Sequence, residues 1–205
     1  MKNILFGSLL LLGPYWLQAQ LDSRSYRSIA VMNTQTQLPF SQFAGLFYKA
    51  FHPGLEFTAG KNFRVKNKHD WYYDIRLAYF YHRFVQHGFP VYSNLGYRYR
   101  LNTRWSVFTE AGAGYFHSLP ATAKLRLNDA GQYQNNKGIG RAQANACFGI
   151  GTGYRLHPAK NGSSTLFMCF QQRVQFPFVK SYVPVLPYTG ILFGISRPVS
   201  GKKHK

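Results

Sequence analysis

Between Trp71 and Tyr115, large apolar or aromatic residues occupy almost every second position of the chain. A period of two is typical of β-strands, because successive side chains of a strand point to opposite faces of the sheet. Aromatic rings dominate the apolar face, which suits strands at a membrane boundary better than strands around a soluble core. The other face includes five charged residues: Asp74, Arg76, Arg98, Arg100 and Glu110.

The first residues have the order of a secretory signal peptide. A basic start at Lys2 precedes an apolar run from Ile4 to Leu12, and a short segment follows that ends at Ala19. A retained membrane helix is the alternative, but the run is too short to cross ~30 Å of hydrocarbon at ~1.5 Å per residue. We therefore predict a signal peptide over residues 1–19, cleaved before Gln20.

The mature chain has the length of one domain and divides into strands and turns. Asn102, Thr103 and Arg104 form a predicted tight turn, and short turns of outer-membrane barrels lie on the periplasmic side. This direction places residues 118–137 and 177–187 in outer loops. The predicted strands are 40–51, 55–64, 71–83, 91–101, 105–116, 140–155, 165–176 and 188–196.

These elements predict an all-β fold, an eight-stranded antiparallel transmembrane β-barrel over residues 40–198. The first strand alternates least cleanly. Residues 20–39 have no strong period and are assigned to an N-terminal arm, or alternatively to a continuation of the first strand. Residues 199–205 form a basic tail, and both termini are expected in the periplasm.

The lumen of an eight-stranded barrel is just wide enough for side chains to fill it. The inward charges are therefore expected to pair as a plug, with Glu110 accepting hydrogen bonds from arginine as a structural residue. Alternate glycines from Gly149 to Gly153 are interpreted as room for lumen side chains such as Arg98 or Arg173. The predicted charge network is Asp74, Arg76, Arg98, Arg100, Glu110, Arg141 and Arg173.

Cys147 and Cys169 fall on the inner face of consecutive predicted strands, nearly opposite each other across the turn near Pro158. The periplasm is oxidising, so a cross-strand disulfide is one interpretation. The other is two small residues packed in the lumen, because a register shift of one or two residues separates the sulfurs. Neither cysteine has the neighbours of a metal site, and no metal or cofactor is predicted.

The formal net charge is +19, and no Asp or Glu follows Asp129. Secretion removes the chain from cytosolic nucleic acid, and the basic residues do not cluster on one element, so nucleic acid is not predicted as a partner. Outer-membrane lipid head groups are the expected partners. The residues expected to contact lipopolysaccharide phosphates from the outer loops are Lys124, Arg126, Lys137 and Lys180.

The chain resembles the small OmpA-like outer-membrane β-barrels, particularly those encoded by Bacteroidota. The resemblance covers residues 51–198 and rests on the aromatic strands, the turn at Asn102, and the glycine-rich segments 112–115 and 149–154. It implies an outer-membrane location. Such families commonly end in an aromatic residue that the insertion machinery reads, whereas here Phe193 is followed by Arg197, Pro198 and a basic tail.

An enzyme is the alternative function, because small outer-membrane barrels include lipid A deacylases. The deacylase signature resembles a His and a Ser two positions apart on one strand face, with a Glu nearby. Here His117 and Ser118 are adjacent and face opposite ways, no His-x-Ser occurs, and Glu110 is placed in the lumen. We therefore predict a non-enzymatic structural or accessory barrel, alone or as a subunit of a larger outer-membrane complex, with a deacylase-like enzyme as the alternative.

Overall fold

The computed structural model describes residues 25–38, 50–122, 125–135, 138–158, 162–178 and 183–199. This part of the chain is built from β-strands joined by turns and loops. The strands are β1 (Ser25–Thr36), β2 (Pro53–Val65), β3 (His69–His82), β4 (Gln86–Arg100), β5 (Trp105–Pro120), β6 (Leu125–Leu127), β7 (Tyr133–Asn135), β8 (Arg141–Arg155), β9 (Thr165–Phe176) and β10 (Leu186–Pro198).

Eight of these strands close into one barrel in the order β1-β10-β9-β8-β5-β4-β3-β2, and every neighbouring pair is antiparallel. The seam joins the first strand to the last, with Tyr26 opposite Pro198. The short strands β6 and β7 form a separate hairpin within the connection between β5 and β8. No helix in the described ranges is long and apolar enough to span a membrane.

The two ends of the barrel differ in their connections. The short-turn end contains the connections 66–68, 101–104 and 156–164, and the long-loop end contains the connection 121–140 with its hairpin. The predicted turn at Asn102 is confirmed, and its side-chain Oδ1 accepts hydrogen bonds from the backbone N–H groups of Arg104 and Trp105 at 2.8 and 2.7 Å. Ser25 and Val199 both lie at the short-turn end, where the Val199 N–H donates to the Ser25 carbonyl at 2.8 Å.

The barrel is apolar outside and polar inside. In β3 the outward Ile75 and Leu77 are 59% and 54% exposed, whereas the inward Tyr72 and Asp74 are 2% and 1% exposed. Soluble barrels have the opposite arrangement, because their polar side faces water. This distribution is that of outer-membrane-type barrels, and the predicted fold class is confirmed.

Aromatic side chains mark both borders of the apolar exterior. Near the short-turn end, the ring centroids of Trp71 and Tyr97 are 5.1 Å apart. Near the other end, the ring centroids of Tyr79 and Phe89 are 5.0 Å apart. At ~3.4 Å per residue and a strand tilt of ~40°, Trp71 and Tyr79 are separated by roughly 20 Å along the barrel axis. This spacing is close to the height of the lipid-facing band in outer-membrane barrels, which is about 25 Å.

The position of the first strand is a correction to the sequence prediction. Residues 25–36, which were assigned to an N-terminal arm, form β1 and pair with both β10 and β2, so the barrel begins there and not at residue 40. The second half of β1 is buried on both faces, at Asn33, Thr34 and Gln35 in succession, which removes the alternation that identified the other strands. Residues 1–24 and 39–49, including the predicted signal peptide, lie outside the described residues.

Candidate functional site

The middle of the lumen contains a buried ion cluster, which we call the central cluster and define as Glu56, Asp74, Arg76 and Glu110. Arg76 donates from Nε to Asp74 Oδ1 at 3.0 Å, from Nη1 to Glu56 Oε1 at 3.1 Å and from Nη2 to Glu110 Oε2 at 2.6 Å. The four residues are between 1% and 6% exposed. One guanidinium therefore binds three carboxylates from three different strands, and all four side chains are almost completely buried.

Three tyrosine hydroxyls supply the remaining bonds to these carboxylates. Tyr26 donates to Asp74 at 2.9 Å, Tyr72 donates to Glu110 at 3.0 Å, and Tyr92 donates to Glu56. Arg173 joins the cluster from β9, since its Nη2 donates to the Tyr92 hydroxyl at 3.0 Å and lies 3.8 Å from Glu56. Buried charges are tolerated when they are paired and hydrogen-bonded, and the central cluster has both properties.

The other predicted members of the charge network lie apart from the central cluster. Arg100 forms an ion pair with Asp70 at 2.5 Å and donates to the backbone of the 66–68 turn. Arg98 lies over the ring of Tyr72, with its Cζ 4.9 Å from the ring centroid. Arg141 donates to the Phe178 carbonyl at 2.6 Å near the long-loop end. The prediction of one network is therefore corrected, because these three arginines occupy different heights of the barrel.

Toward the long-loop end the lumen is filled by glutamines and aromatic rings. Gln86 and Gln175 exchange hydrogen bonds across the barrel, with the shorter one at 2.6 Å, and Gln175 donates to Gln143 at 2.6 Å. Phe80 packs between Phe116 and Tyr188, with ring centroids 5.8 and 5.5 Å apart. Gln86, Gln175 and these rings are at most 2% exposed, so the lumen is filled above the central cluster as well.

At the short-turn end the lumen widens into an open cavity of about 1140 Å³, which we call the vestibule. Asp74, Arg76 and Glu110 of the central cluster form its floor. Its wall includes Arg98, Tyr72, Phe108 and Phe167, and its mouth includes Arg100, Arg155 and the turn 102–105. As far as the described residues show, the barrel is closed at mid-height and open at the short-turn end.

The inward glycines of β8 make room for different side chains from those predicted. A Cβ at Gly151 would lie 2.4 Å from the Phe108 ring, and a Cβ at Gly149 would lie 3.0 Å from Glu110 Cγ and Cys169 Sγ. The predicted neighbours, Arg98 and Arg173, are not the closest atoms at these positions. The glycines instead allow Phe108 and Glu110 to lie flat against the neighbouring strand.

Both cysteines are free thiols, so the interpretation of Cys147 and Cys169 as a disulfide is wrong. Cys147 faces Arg173 and Cys169 faces Gly151, a displacement of four residues between adjacent strands. At ~3.3 Å per residue this corresponds to roughly 13 Å, well beyond the Cα separation that a disulfide can bridge. Cys147 donates to Asn94 Oδ1 at 3.2 Å, and Cys169 lies 3.8 Å from Glu110 Oε1.

The residues considered for catalysis do not meet. Ser118 is fully buried in the lumen, whereas His117 is on the exterior and contacts the Tyr115 hydroxyl at 2.8 Å. His82 stacks on His52 at the long-loop end, with ring centroids 3.7 Å apart. Among the described residues no group of three or more His, Cys, Asp or Glu side chains could hold a metal ion.

Of the residues predicted to contact lipopolysaccharide, Lys124, Lys137 and Lys180 lie outside the described residues. Arg126 belongs to β6, and only its backbone is described.

Sequence reasoning missed Glu56, Asp70 and the three lumen tyrosine hydroxyls as members of the lumen network. Glu56 lies between Leu55 and Phe57, so the period of two could have placed it inward. Asp70 lies just before the predicted strand 71–83, but it belongs to β3 and faces the lumen at 2% exposure.

No protein-family model matches the chain, and no curated protein matches it in sequence. Solved structures similar to it include the attachment invasion locus protein Ail of Yersinia pestis in complex with the heparin analogue sucrose octasulfate, at 14% identity, 86% coverage of this chain, 99% coverage of Ail and a TM-score of 0.45. Neisserial surface protein A has 9% identity, coverages of 86% and 97% and a TM-score of 0.49.

The N-terminal β-barrel domain of Pseudomonas aeruginosa OprF has 13% identity, coverages of 85% and 98% and a TM-score of 0.39. At these identities and TM-scores, the likeness supports no statement about the residues, ligands or partners of this chain.

Proposed function

We propose that this chain is an integral outer-membrane β-barrel with a plugged polar lumen, and that its role is structural or accessory, alone or as a subunit of a larger outer-membrane complex. The central cluster is the observation that supports this proposal most directly. Its four charged side chains are bonded to one another and to tyrosines across the lumen. Such a cluster fills the lumen at mid-height, so the described residues leave no continuous water path for solutes there.

The orientation and lineage in this proposal follow from the connections and the sequence pattern. Short turns of outer-membrane barrels face the periplasm, and for this reason we propose that the ends of the described chain and the vestibule lie on that side. Outer-membrane lipid and lipopolysaccharide are the proposed partners of the basic residues at the two ends. Membership in the Bacteroidota type of OmpA-like barrels is part of the same proposal.

The geometry of Glu110 supports a structural role over a catalytic one. Its Oε2 accepts bonds from Arg76 and Tyr72, and its Oε1 lies near the Cys169 thiol. A general acid or base must reach a substrate proton within hydrogen-bond distance, whereas this residue is 3% exposed and its Oε2 already accepts two hydrogen bonds. We therefore propose a non-enzymatic function.

The membrane proposal is tested by fractionation and by gel mobility. The mature protein should be recovered with outer membranes and should migrate faster on unheated gels than after boiling, whereas recovery in the soluble periplasm would refute the location. In planar bilayers the protein should produce no steps of conductance, with a general porin as the positive control. Stable open-channel currents would refute the plugged lumen.

Complex membership and the absence of enzymatic activity need separate measurements. Purification in mild detergent should recover the barrel with a larger outer-membrane protein, and a monodisperse barrel alone would argue against a complex. Mass spectrometry of lipid A should give the same species from the parent strain and from a strain that lacks the gene. Loss of a deacylated species in that strain would favour the enzymatic alternative.

A further inference from the structure

The vestibule has a floor that cannot accept further hydrogen bonds easily and a wall with unused donors. Asp74 accepts two bonds from Arg76 and one from Tyr26, and Glu110 Oε2 accepts from Arg76 and Tyr72. The carboxylates are thus occupied by partners within the lumen. A cationic ligand entering the vestibule would find few free acceptors on this floor.

Arg98 provides the unused donors. It projects inward from β4 on the vestibule side of two rings, with its Cζ 4.9 Å from the Tyr72 centroid and 6.0 Å from the Tyr26 centroid. Within the described ranges, the Arg98 side chain contacts these two rings and takes part in none of the ion pairs of the lumen. A guanidinium has five N–H donors in a planar fork that matches oxyanions, and ring contacts leave those donors available at its edge.

The neighbouring charges keep the vestibule wall basic. Asp70, the carboxylate closest to the mouth, is already paired with Arg100 at 2.5 Å. Arg155, the last residue of β8, also lines the vestibule at its mouth. Because a half-enclosed site has weaker screening than open water, these guanidinium groups attract anions more strongly than the same groups would on a flat surface.

An apolar part of the wall begins on the strand next to Arg98. Phe108 lies directly across from Arg98 in the β4–β5 register, and Phe167 lies across from Gly153 in the β8–β9 register. A Cβ at Gly151 would lie 2.4 Å from Phe108 Cζ, and a Cβ at Gly194 would lie 2.5 Å from Phe167 Cζ, so each ring lies against an inward glycine of a neighbouring strand. The vestibule therefore offers a basic group and an aromatic surface side by side.

We propose that the vestibule is a binding site for a small oxyanion with an apolar group, a phosphate monoester or carboxylate, which enters from the short-turn end. Arg98 binds the oxyanion by two parallel hydrogen bonds, and Phe108 and Phe167 pack on the apolar group. The cavity of about 1140 Å³ is slightly larger than the usual range for small-molecule sites, ~300–1,000 Å³, so it has room for such a ligand and for water. The orientation in the proposed function implies that this ligand comes from the periplasm or from the inner leaflet, but the site itself does not depend on it.

The test uses 1-naphthyl phosphate, whose fluorescence anisotropy reports binding to the full mature barrel in amine-oxide micelles, which contain no phosphate. Arg98→Gln should weaken binding by about tenfold or more, the loss expected for a bidentate charge-assisted contact. Arg27→Gln removes the same charge from an exposed position on β1 and should change the dissociation constant by less than about twofold. Equal effects of the two variants, or no effect of Arg98→Gln, would overturn the proposal.

A second pair of variants covers the case in which Arg98→Gln does not fold. Ser28 lines the vestibule from β1, so Ser28→Glu should repel the probe while Ser28→Gln should bind it nearly as the parent does. Equal binding by these two variants would also overturn the proposal. All measurements use protein with the gel mobility of the folded barrel, so a negative result here leaves the proposed location and plug untouched.

Competition experiments distinguish the two sources of the oxyanion. Displacement of the probe by inorganic phosphate in micelles indicates a site that takes soluble phosphate esters. Displacement by phosphatidylglycerol in nanodiscs, without displacement by inorganic phosphate, indicates a lipid head group. Failure of both to displace the probe would contradict an oxyanion site.

Discussion

Replacing Arg76 by glutamine should destabilise the barrel more than any single replacement of a carboxylate around it. Arg76 is the shared partner of Glu56, Asp74 and Glu110, and its removal leaves three buried carboxylates together, with Arg173 3.8 Å from one of them. Breaking a buried ion pair from one side costs about 3–5 kcal/mol, and here the remaining charges also repel one another. We expect the free energy of unfolding to fall by at least this amount.

Glu110→Gln is the matched comparison. After this change Arg76 still binds Asp74 and Glu56 at 3.0 and 3.1 Å, so no charge is left unpaired. The expected loss is that of one charge-assisted hydrogen bond, about 1.5–3 kcal/mol at most. Combining both changes should cost less than the sum of the two, because Glu110→Gln removes one of the repelling carboxylates that Arg76→Gln leaves behind.

Urea titration of the barrel refolded in phosphatidylcholine vesicles measures these differences. Trp71 and Trp105 are on the exterior, so their fluorescence reports transfer from lipid to water, and gel mobility provides an independent probe of folding. If Arg76→Gln costs no more than Glu110→Gln, or if the two changes are additive, the central cluster does not hold the barrel by shared pairing.

Two further predictions test the faces and the close packing of the strands. Leu77→Arg, on the lipid side near mid-strand, should lower the free energy of unfolding in vesicles by ~2–4 kcal/mol, while Ala78→Ser, on the lumen side, should have a mild effect; equal effects would reject the assigned faces. Gly112→Ala should cost ~1–3 kcal/mol, because its Cβ would lie 2.3 Å from the Ser93 carbonyl. Gly190→Ala is the control, with its nearest neighbour at 3.5 Å, and a loss as large as that of Gly112→Ala would refute the packing argument.

The sequence predicted the strands whose two faces meet different solvents. In β3 the alternation is complete, because every outward side chain faces the apolar exterior and every inward one faces the polar lumen. In β1 this contrast ends after Val31. Asn33 is at an outward position but is buried, and its Oδ1 accepts a hydrogen bond from the His52 N–H at 2.9 Å. A strand that is covered on both faces has no period of two, and for this reason the first strand was misplaced.

The lumen partners could be predicted only in part. Parity alone places Asp74 and Arg76 on one face, but which carboxylates of other strands meet Arg76 depends on the stagger between strands. That stagger includes an irregularity in β2 between Asn62 and Arg64, and the local sequence does not specify it. The register between β8 and β9 likewise could not be predicted. It decides whether Cys169 lies opposite Cys147 or is displaced by four residues, as it is in the structure.

The seam between β1 and β10 gives the barrel a particular folding order. In every other neighbouring pair, the two barrel strands are consecutive along the chain, and most of them are joined by short connections. The seam instead pairs the first strand with the last, with Tyr26 opposite Pro198. Closing a loop of that length has a large entropic cost that hairpins avoid, so the seam should form last.

The two ends of the described chain are adjacent, as the hydrogen bond from the Val199 N–H to the Ser25 carbonyl shows. A short linker between them, with new termini opened in the connection 121–140, would keep every strand neighbour and move the point of closure to the β5–β8 pair. Such a circular permutant should reach the same barrel by a different last step, so its insertion rate and its equilibrium stability would respond to different substitutions from those that affect the parent.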